Sequence, residues 1–358
     1  MIPILYDVSE KAFTSGGIGF LTDCESCKVT EEVNGIYECE FTYPVTGRLY
    51  SELTNNPIIY VKHDTVNGPQ PFDIYAHSKP INGLVTFDAH HISYRLSNAV
   101  AKPFIATTAV SAMYYLNQPE YTTTNDFVFS TDLYGDNSFS INEPTVIREI
   151  LLDDKYSLLT KYGYTGGMHA EYLFDHFNVQ LLSRRGVDTD ITIRYGKDLV
   201  DLEDKLDSSE SFNAVVPYWV NPDDEADVVV LSSPLYVHHD DGLAWIKAIP
   251  LDMSQTLNSR PTEETLRAAA LAELEQSMGW KPYEELTINA IQLSEDSEYE
   301  QFKDLQRLQL GDTIRVVANH LGVNLQERVV KLVYDALRDK YEEITIGDLP
   351  LSYKQTIN

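Results

Sequence analysis

A chain of 358 residues that is 43% hydrophobic and 11% aromatic, with 23 tyrosines, buries real cores, which excludes a disordered protein; its length suits two or three domains of roughly 100–200 residues. A formal net charge of −28 argues against nucleic-acid binding by phosphate neutralisation and against docking on anionic membranes, both of which need clustered lysine and arginine. Three cysteines are an odd number and leave no complete disulfide framework.

The opening residues MIPILYD lack a basic stretch followed by a long apolar one, and no run of about 18 apolar residues follows anywhere, so neither a secretion signal nor a membrane anchor is expected. Synthesis in a cytoplasm follows from that reading. Ile2 to Tyr6 reads as a short strand and Gly16-Gly17 as a turn.

Asp23 to Pro44 is the best specified stretch. Tyr37, Cys39, Phe41 and Tyr43 alternate with Glu38, Glu40 and Thr42, which predicts a strand with one wet face. Cys27 and Val29 alternate with Lys28 and Thr30, and Asn34-Gly35 supplies a turn. A two-residue turn would pair Glu31 with Glu38 and set Val29 against Glu40. A three-residue loop, Val33-Asn34-Gly35 with Gly35 left-handed, sets Val29 opposite Cys39, Cys27 opposite Phe41 and Lys28 opposite Glu40. Opposed like charges destabilise and unlike charges help, each by roughly 0.2–1 kcal/mol. The second register is therefore predicted, as a type I turn with a bulge.

Ile58 to Lys62, Phe72 to His77 and Leu84 to Leu96 are further strand candidates, separated by turns at Asn67-Gly68 and Asn82-Gly83. From Pro103 the texture changes. Thr108 to Leu116 has helical spacing, Phe127 to Leu133 reads as a strand, and Glu143-Pro144 opens a helix with Val146, Ile147, Ile150 and Leu151 on one face. Glu171 to Ser183 reads as extended up to Arg184-Arg185-Gly186, with Ile191 to Tyr195 as its hairpin partner. Strands resume at Val215 to Val220, Val228 to Leu231 and Leu243 to Ile249. A helix then starts at Pro261, lined by Leu266, Ala269, Ala270, Leu274 and Met278, and Gly279 caps it. Leu286 to Ile291, Thr313 to Val317, Glu327 to Tyr334 and Glu343 to Ile346 complete the strands. The acidic stretches Asp201–Glu210 and Glu295–Glu300 read as solvated surface. The class is mixed β and α+β, two β-barrel-like domains with an inserted α/β region.

No catalytic set survives weighing. HExxH, GxSxG and the phosphate-cradling GxxxxGK[ST] are missing from the sequence. Cys24 and Cys27 have half of a zinc spacing but no second pair, and on an extended strand they face opposite sides. His238-His239-Asp240-Asp241 reads as a polar turn before Gly242 rather than a metal site. His90-His91 reads as a core or hairpin pair, and Cys39 is mid-strand, where burial disfavours a thiolate. Asp153-Asp154 and Asp223-Asp224 are adjacent in sequence, not set across a cleft. Trp219, Trp245 and Trp280 lie in separate segments and make no glycan platform, so each is expected in a core. No catalytic, cofactor-binding or metal residue is assigned, no cofactor is expected, and the reading is not an enzyme.

The hairpin pattern CxVTEExNGIYExEFxYPVTG resembles the N-terminal hub region of phage and prophage minor tail proteins, the prophage endopeptidase tail or tail-associated lysin family. Further stretches carry the same resemblance in order: Ala89 to Leu96; Arg185-Gly186-Val187-Asp188 with Ile193 to Lys197; Leu310-Gly311-Asp312-Thr313; Arg328-Val329-Val330 through Asp335; and Tyr341 to Gly347. The resemblance implies a protein similar to the baseplate central hub of contractile-tail phages. It would be a structural homotrimer at the virion tail tip whose two barrel domains make a pseudo-sixfold ring. That ring would join the tail tube and distal tail protein to tip or receptor-binding proteins, around a channel for DNA and the tape-measure protein; DNA would pass without specific binding. The implied domains are 1–99 (first hub barrel), 100–190 (α/β, with the helix of 256–284 packed on it), 191–255 with 285–350 (second barrel), and a tail, 351–358. Peptidoglycan-cleaving activity in longer relatives lies in regions after this one, so the alternative, a cell-wall endopeptidase, has no motif here onto which catalytic residues transfer.

Overall fold

The opening hairpin forms in the register that charge favours. In the computed structural model, strands Ser26–Glu32 and Tyr37–Pro44 pair with Val29 opposite Cys39, Cys27 opposite Phe41 and Lys28 opposite Glu40. Cys27, Val29, Cys39, Phe41 and Tyr43 are all buried. The left-handed loop residue is Asn34 (φ 56°) rather than Gly35. Asparagine tolerates that conformation, and here tertiary bonds select it: the Asn34 amide donates to the Ala170 carbonyl at 3.0 Å and accepts from the Tyr172 N–H at 2.8 Å. The structure describes residues 1–134, 138–153, 156–162, 170–194, 199–207, 212–221, 224–239, 246–254, 256–257, 259–277, 283–290, 307–318 and 323–347.

The hairpin sits in the middle of a 13-stranded sheet. On its Tyr37–Pro44 side follow Leu84–His91, Pro69–His77, Ile58–Lys62, Ile4–Tyr6 and Gly19–Phe20. On its Ser26–Glu32 side lies the 13-residue strand Val323–Asp335, then Lys340–Gly347, Tyr283–Ala290 and Leu199–Asp207. Val323–Asp335 serves two neighbourhoods. Its first half pairs with Thr313–Ala318, and its second half is held between Lys340–Gly347 and Ser26–Glu32. Near the change-over the ladder to Lys340–Gly347 shifts register between Val329 and Lys331, and the Val330 carbonyl accepts from the Val33 N–H at 2.9 Å. The two expected barrel-like halves thus share one sheet, and the class is mixed and β-rich as expected.

Four local expectations are corrected. The strand from Leu84 stops at His91 and continues as a 3-10 helix, Ile92–Asn98, because the His91 ring accepts from the Ser93 N–H and caps it. After Pro144 the chain makes a short strand, Thr145–Val146, against Val100–Ala101 before the helix Ile147–Leu152 begins. Glu171–Asp175 and Asn178–Leu182 form a hairpin with each other, turned at His176 (φ 53°), while Asp188–Arg194 runs parallel to Thr313–Ala318. The helix expected to pack on residues 100–190, seen as Glu263–Ser277, instead places Leu266, Ala270 and Leu274 in a separate core with Val215, Trp219, Val229 and Leu251. That core belongs to a four-stranded sheet centred on Ala214–Asn221, flanked by Asp224–Val230, Val237–His238 and Ala248–Asp252. Met278 and Gly279 lie outside the described residues, as do Tyr195 to Lys197, Ser208 to Glu210 and Glu295 to Glu300.

Helix Ala109–Leu116 begins at Thr108 with a reciprocal Thr108–Ser111 capping box, and buries Ala109, Ala112, Met113 and Leu116 as its spacing predicts. It packs beside the three-stranded sheet of Val128–Thr131, Asn178–Leu182 and Glu171–Asp175. This inserted region shares a continuous core with both halves of the large sheet. The chain returns from it through Gly186 (φ 66°), which meets Gly311 (φ 90°) backbone to backbone. A Cβ on Gly186 would overlap the Gly311 carbonyl and the Asp312 nitrogen, and one on Gly311 would stand 2.7 Å from the Arg185 carbonyl carbon. Gly186→Ala therefore combines a disfavoured φ with a clash that no side-chain rotation relieves, and is expected to cost about 3 kcal/mol or more. Gly83→Ala, at φ 80° but with open space around it, is expected to cost only about 1 kcal/mol; urea unfolding of the two variants checks the difference.

A charged junction as the candidate functional site

Alternation along Ser26–Glu32 carries Glu31 onto the same face as Cys27 and Val29, where it is 6% exposed. A carboxylate in that position needs cations and donors, because burying it unpaired would cost far more than a hydrogen bond returns. Arg185 supplies the cation, with Nη2 2.7 Å from Glu31 Oε1, and its Nη1 donates to the Tyr172 carbonyl at 3.1 Å. His63 supplies a donor, with Nδ1 3.3 Å from Glu31 Oε2. Burial works against the charged carboxylate, yet Arg185 and His63 outweigh it and hold Glu31 down at about 2.

A second pair locks the other side. Glu171, fully buried, takes both guanidinium nitrogens of Arg328, the Nη2 contact being 2.9 Å, and accepts from the Arg185 N–H at 2.8 Å. Arg328 Nη2 also donates to the Arg185 and Gly311 carbonyls at 3.0 Å each. Asp312, buried, accepts from the Val187 and Gln309 N–H groups at 2.9 Å each. The Thr313 N–H then donates to the Val187 carbonyl at 2.9 Å. The bidentate Arg328–Glu171 pair is directional as well as strong, so it fixes how the inserted region meets the closing strands.

A cleft of about 300 Å³ opens beside this knot, lined among others by His63, Asp64, Gln70, Asp175, His176 and Arg185. Gln70 organises its wall. Its Nε2 donates to Asp175 at 2.7 Å, and its Oε1 accepts from the His176 N–H at 2.8 Å and from His91 Nε2 at 3.3 Å. Because His91 Nδ1 accepts from the Ser93 N–H, its Nε2 carries the proton, and the ring is neutral. Burial pushes His91 down to about 3. It stacks on Tyr37 at 4.4 Å, while His90, on the opposite face, stacks between Tyr75 and Tyr94. Arg148 lies 3.9 Å over the Tyr94 ring and ties helix Ile147–Leu152 to the 3-10 turn.

Among the described residues, the candidates weighed from sequence do not converge on a reactive site. Cys24, just before the strand, has its thiol beside that of Cys27 rather than on the opposite face as expected, and the Cys27 and Cys39 sulfurs are 3.7 Å apart. All three are free; contact with Cys27 and burial push the Cys24 thiol up, and Cys27 is raised as well, the reverse of an activated nucleophile. Trp219 is buried and donates to the Leu257 carbonyl at 2.8 Å. Asp240, Asp241, Trp245, Trp280, Asp154 and Asp223 lie outside the described residues. Among the described residues no group of three or more His, Cys, Asp and Glu side chains is placed to hold a metal, and no helix is long and apolar enough to cross a membrane.

The stretches that carry the family resemblance do converge, on the junction itself. Arg185-Gly186-Val187, Leu310-Gly311-Asp312-Thr313 and Arg328-Val329-Val330 are joined there by the bonds just described. Their individual roles were missed in the sequence, although Glu31, an acid in phase with apolar neighbours, was a visible signal.

This is the fold of phage tail proteins. The chain superimposes over 99% of its length on 97% of a prophage tail protein from Listeria monocytogenes EGD-e, with TM-score 0.56 and 16% identity. It matches a prophage MuSo2 43 kDa tail protein from Shewanella oneidensis over 100% of both chains, with TM-score 0.59 and 10% identity. A tail protein from Neisseria meningitidis MC58 aligns over 99% of this chain and 98% of its own, with TM-score 0.58 and 10% identity. Residues 187–357 match the prophage endopeptidase tail family, so the family resemblance is borne out, over a span that holds the later stretches and not the opening hairpin. Comparison with curated proteins gives no match.

With Glu31 and His91 both held below their ordinary values, stability drains away on the acid side. The unfolded chain protonates His91 near its ordinary value of about 6.5 while the folded one refuses the proton until about 3. Glu31 follows between its ordinary value of about 4.3 and about 2. Urea midpoints are expected to fall as pH drops from about 6.5 towards 3, and less steeply in His91→Gln. At neutral pH, Glu31→Gln leaves Arg185 without its anion and is expected to cost about 3–5 kcal/mol, readable from the same unfolding curves.

Proposed function

We propose that this protein is a structural hub of a phage tail tip. The observation that carries the reading is that the family-bearing residues are spent on holding three parts of one chain in fixed geometry, within a fold shared end to end with prophage tail proteins. In this reading residues 1–99 form the first hub domain, 100–190 the insertion, and the strands Asp188–Arg194, Leu199–Asp207, Tyr283–Ala290 and 313–347 the second, while the four-stranded sheet of 214–252, expected in that second barrel, stands apart with helix Glu263–Ser277. Three copies close a ring between the tail tube with its distal tail protein and the tip or receptor-binding proteins. The two related halves give the threefold assembly a sixfold face. A closed ring is the natural product of a head-to-tail interface whose rotation closes. The charge of −28 keeps the channel wall from gripping DNA and leaves the tape-measure protein free to pass. The protein is made in the host cytoplasm and reaches the virion tail by assembly.

The second reading, a peptidoglycan endopeptidase, rests on the family's description. Against it, the carboxylates at the junction are engaged by guanidinium groups, and the thiols next to it are shifted away from nucleophilic character. Light scattering of the protein alone and mixed with the distal tail protein is expected to give a trimer or ring in at least one condition; monomers in both would sink the hub. Incubation with purified peptidoglycan is expected to release no peptides.

A further inference from the structure

One member of the junction is an imidazole, the side chain whose ordinary charge change lies nearest neutral pH. His63, 7% exposed, stands between carboxylates from two elements: Nδ1 faces Glu31 Oε2 at 3.3 Å, and Nε2 lies 3.8 Å from Asp64 Oδ2 with no hydrogen-bond partner. The turn after it is tied to the closing half of the chain, since the Thr65 N–H donates to the Tyr341 hydroxyl at 3.3 Å and that hydroxyl donates to the Leu308 carbonyl at 2.6 Å. Arg185 faces His63 across Glu31, the Tyr37 ring lies 5.8 Å away with His91 stacked beyond it, and Asp175 and His176 stand across the cleft. With His63 charged, the two carboxylates Glu31 and Asp64 meet two cations, His63 and Arg185. With His63 neutral, the proton needed for Glu31 stays on Nδ1, and the Nε2 lone pair is turned on the Asp64 carboxylate. Two acceptors then oppose each other in a buried site, beside a cleft of about 300 Å³ into which they can separate.

We propose that His63 is a proton-operated latch: protonated, it closes the Asp64 turn against the opening hairpin at Glu31, and deprotonated, it lets that turn part from Glu31 towards the cleft. The sign follows from linkage. Burial pulls His63 down, but the Glu31 bond and the Asp64 and Glu31 charges outweigh it, so the folded ring holds its proton more tightly than the unfolded one. Its contribution is fully present below about pH 6.5 and is lost as pH rises through the higher folded value. Hydrogen exchange on the full chain reads the latch through the Thr65, Val66 and Asn67 amides of the turn, which bond the Tyr341 hydroxyl and the Asp64 carboxylate. Between about pH 6 and pH 9 their protection factors are expected to fall about tenfold, with the Tyr37–Pro44 amides unchanged. In His63→Gln they are expected to stay low at both values. NMR titration of the wild-type imidazole should show Nδ1–H and a midpoint above the ordinary histidine value, and it decides the matter even where the variant does not fold. Turn protection that ignores pH, an unaltered pH response in His63→Gln, or a depressed His63 midpoint would each overturn the latch.

Discussion

A carboxylate on the dry face of a strand has to be answered from somewhere, and the rest of the architecture follows from how Glu31 is answered. Its cation, Arg185, lies 154 residues away in sequence, and its imidazole partner comes from the turn after Ile58–Lys62. Arg185 meets Glu31 only where the inserted region packs against the opening sheet. The same guanidinium reaches the Tyr172 carbonyl, and the next backbone group along is held by Glu171, which Arg328 grips from the closing strands. Buried ion pairs contribute little net stability compared with apolar packing, but breaking one is costly, so they select one arrangement over its neighbours. In the hub proposed above, that selectivity would be the useful property.

The large sheet expresses the same constraint in backbone form. Ser26–Glu32 would be an exposed edge if the opening half stood alone, and exposed edges invite foreign strands. Pairing with Val323–Asp335 removes that edge and brings Glu31 opposite Leu332, close to the Arg328 that completes the knot. The bond from Val33 to the Val330 carbonyl shows the loop of the hairpin and the register change in its partner strand accommodating one another. The helix Glu263–Ser277 and its four-stranded sheet stand apart from this arrangement with a core of their own.

The convergence of Arg185-Gly186, Gly311-Asp312 and Arg328 places on those stretches demands that few side chains can meet. Two glycines whose backbones touch, both left-handed, admit no side chain, and a guanidinium that bonds two carbonyls and a carboxylate admits no lysine. These are demands of backbone geometry and of guanidinium hydrogen bonding at the junction.

By itself the sequence determined the local structure. Period-two alternation and the pairing of Lys28 with Glu40 specified the opening hairpin and its register, and the 3.6-residue spacing after Thr108 specified the helix, because both depend on neighbours within a few residues. Only the tertiary structure decided the rest. Asn34 rather than Gly35 is left-handed because its amide is engaged by Ala170 and Tyr172. The strand from Leu84 ends early because the His91 ring turns back to cap Ser93. Asp188–Arg194 leaves its sequence neighbours for a parallel partner, Thr313–Ala318, more than a hundred residues on, and Glu31 finds Arg185. Apart from the two-residue His91–Ser93 cap, the deciding bond in each case joins residues whose proximity exists only once the chain is folded, and no local pattern encodes it.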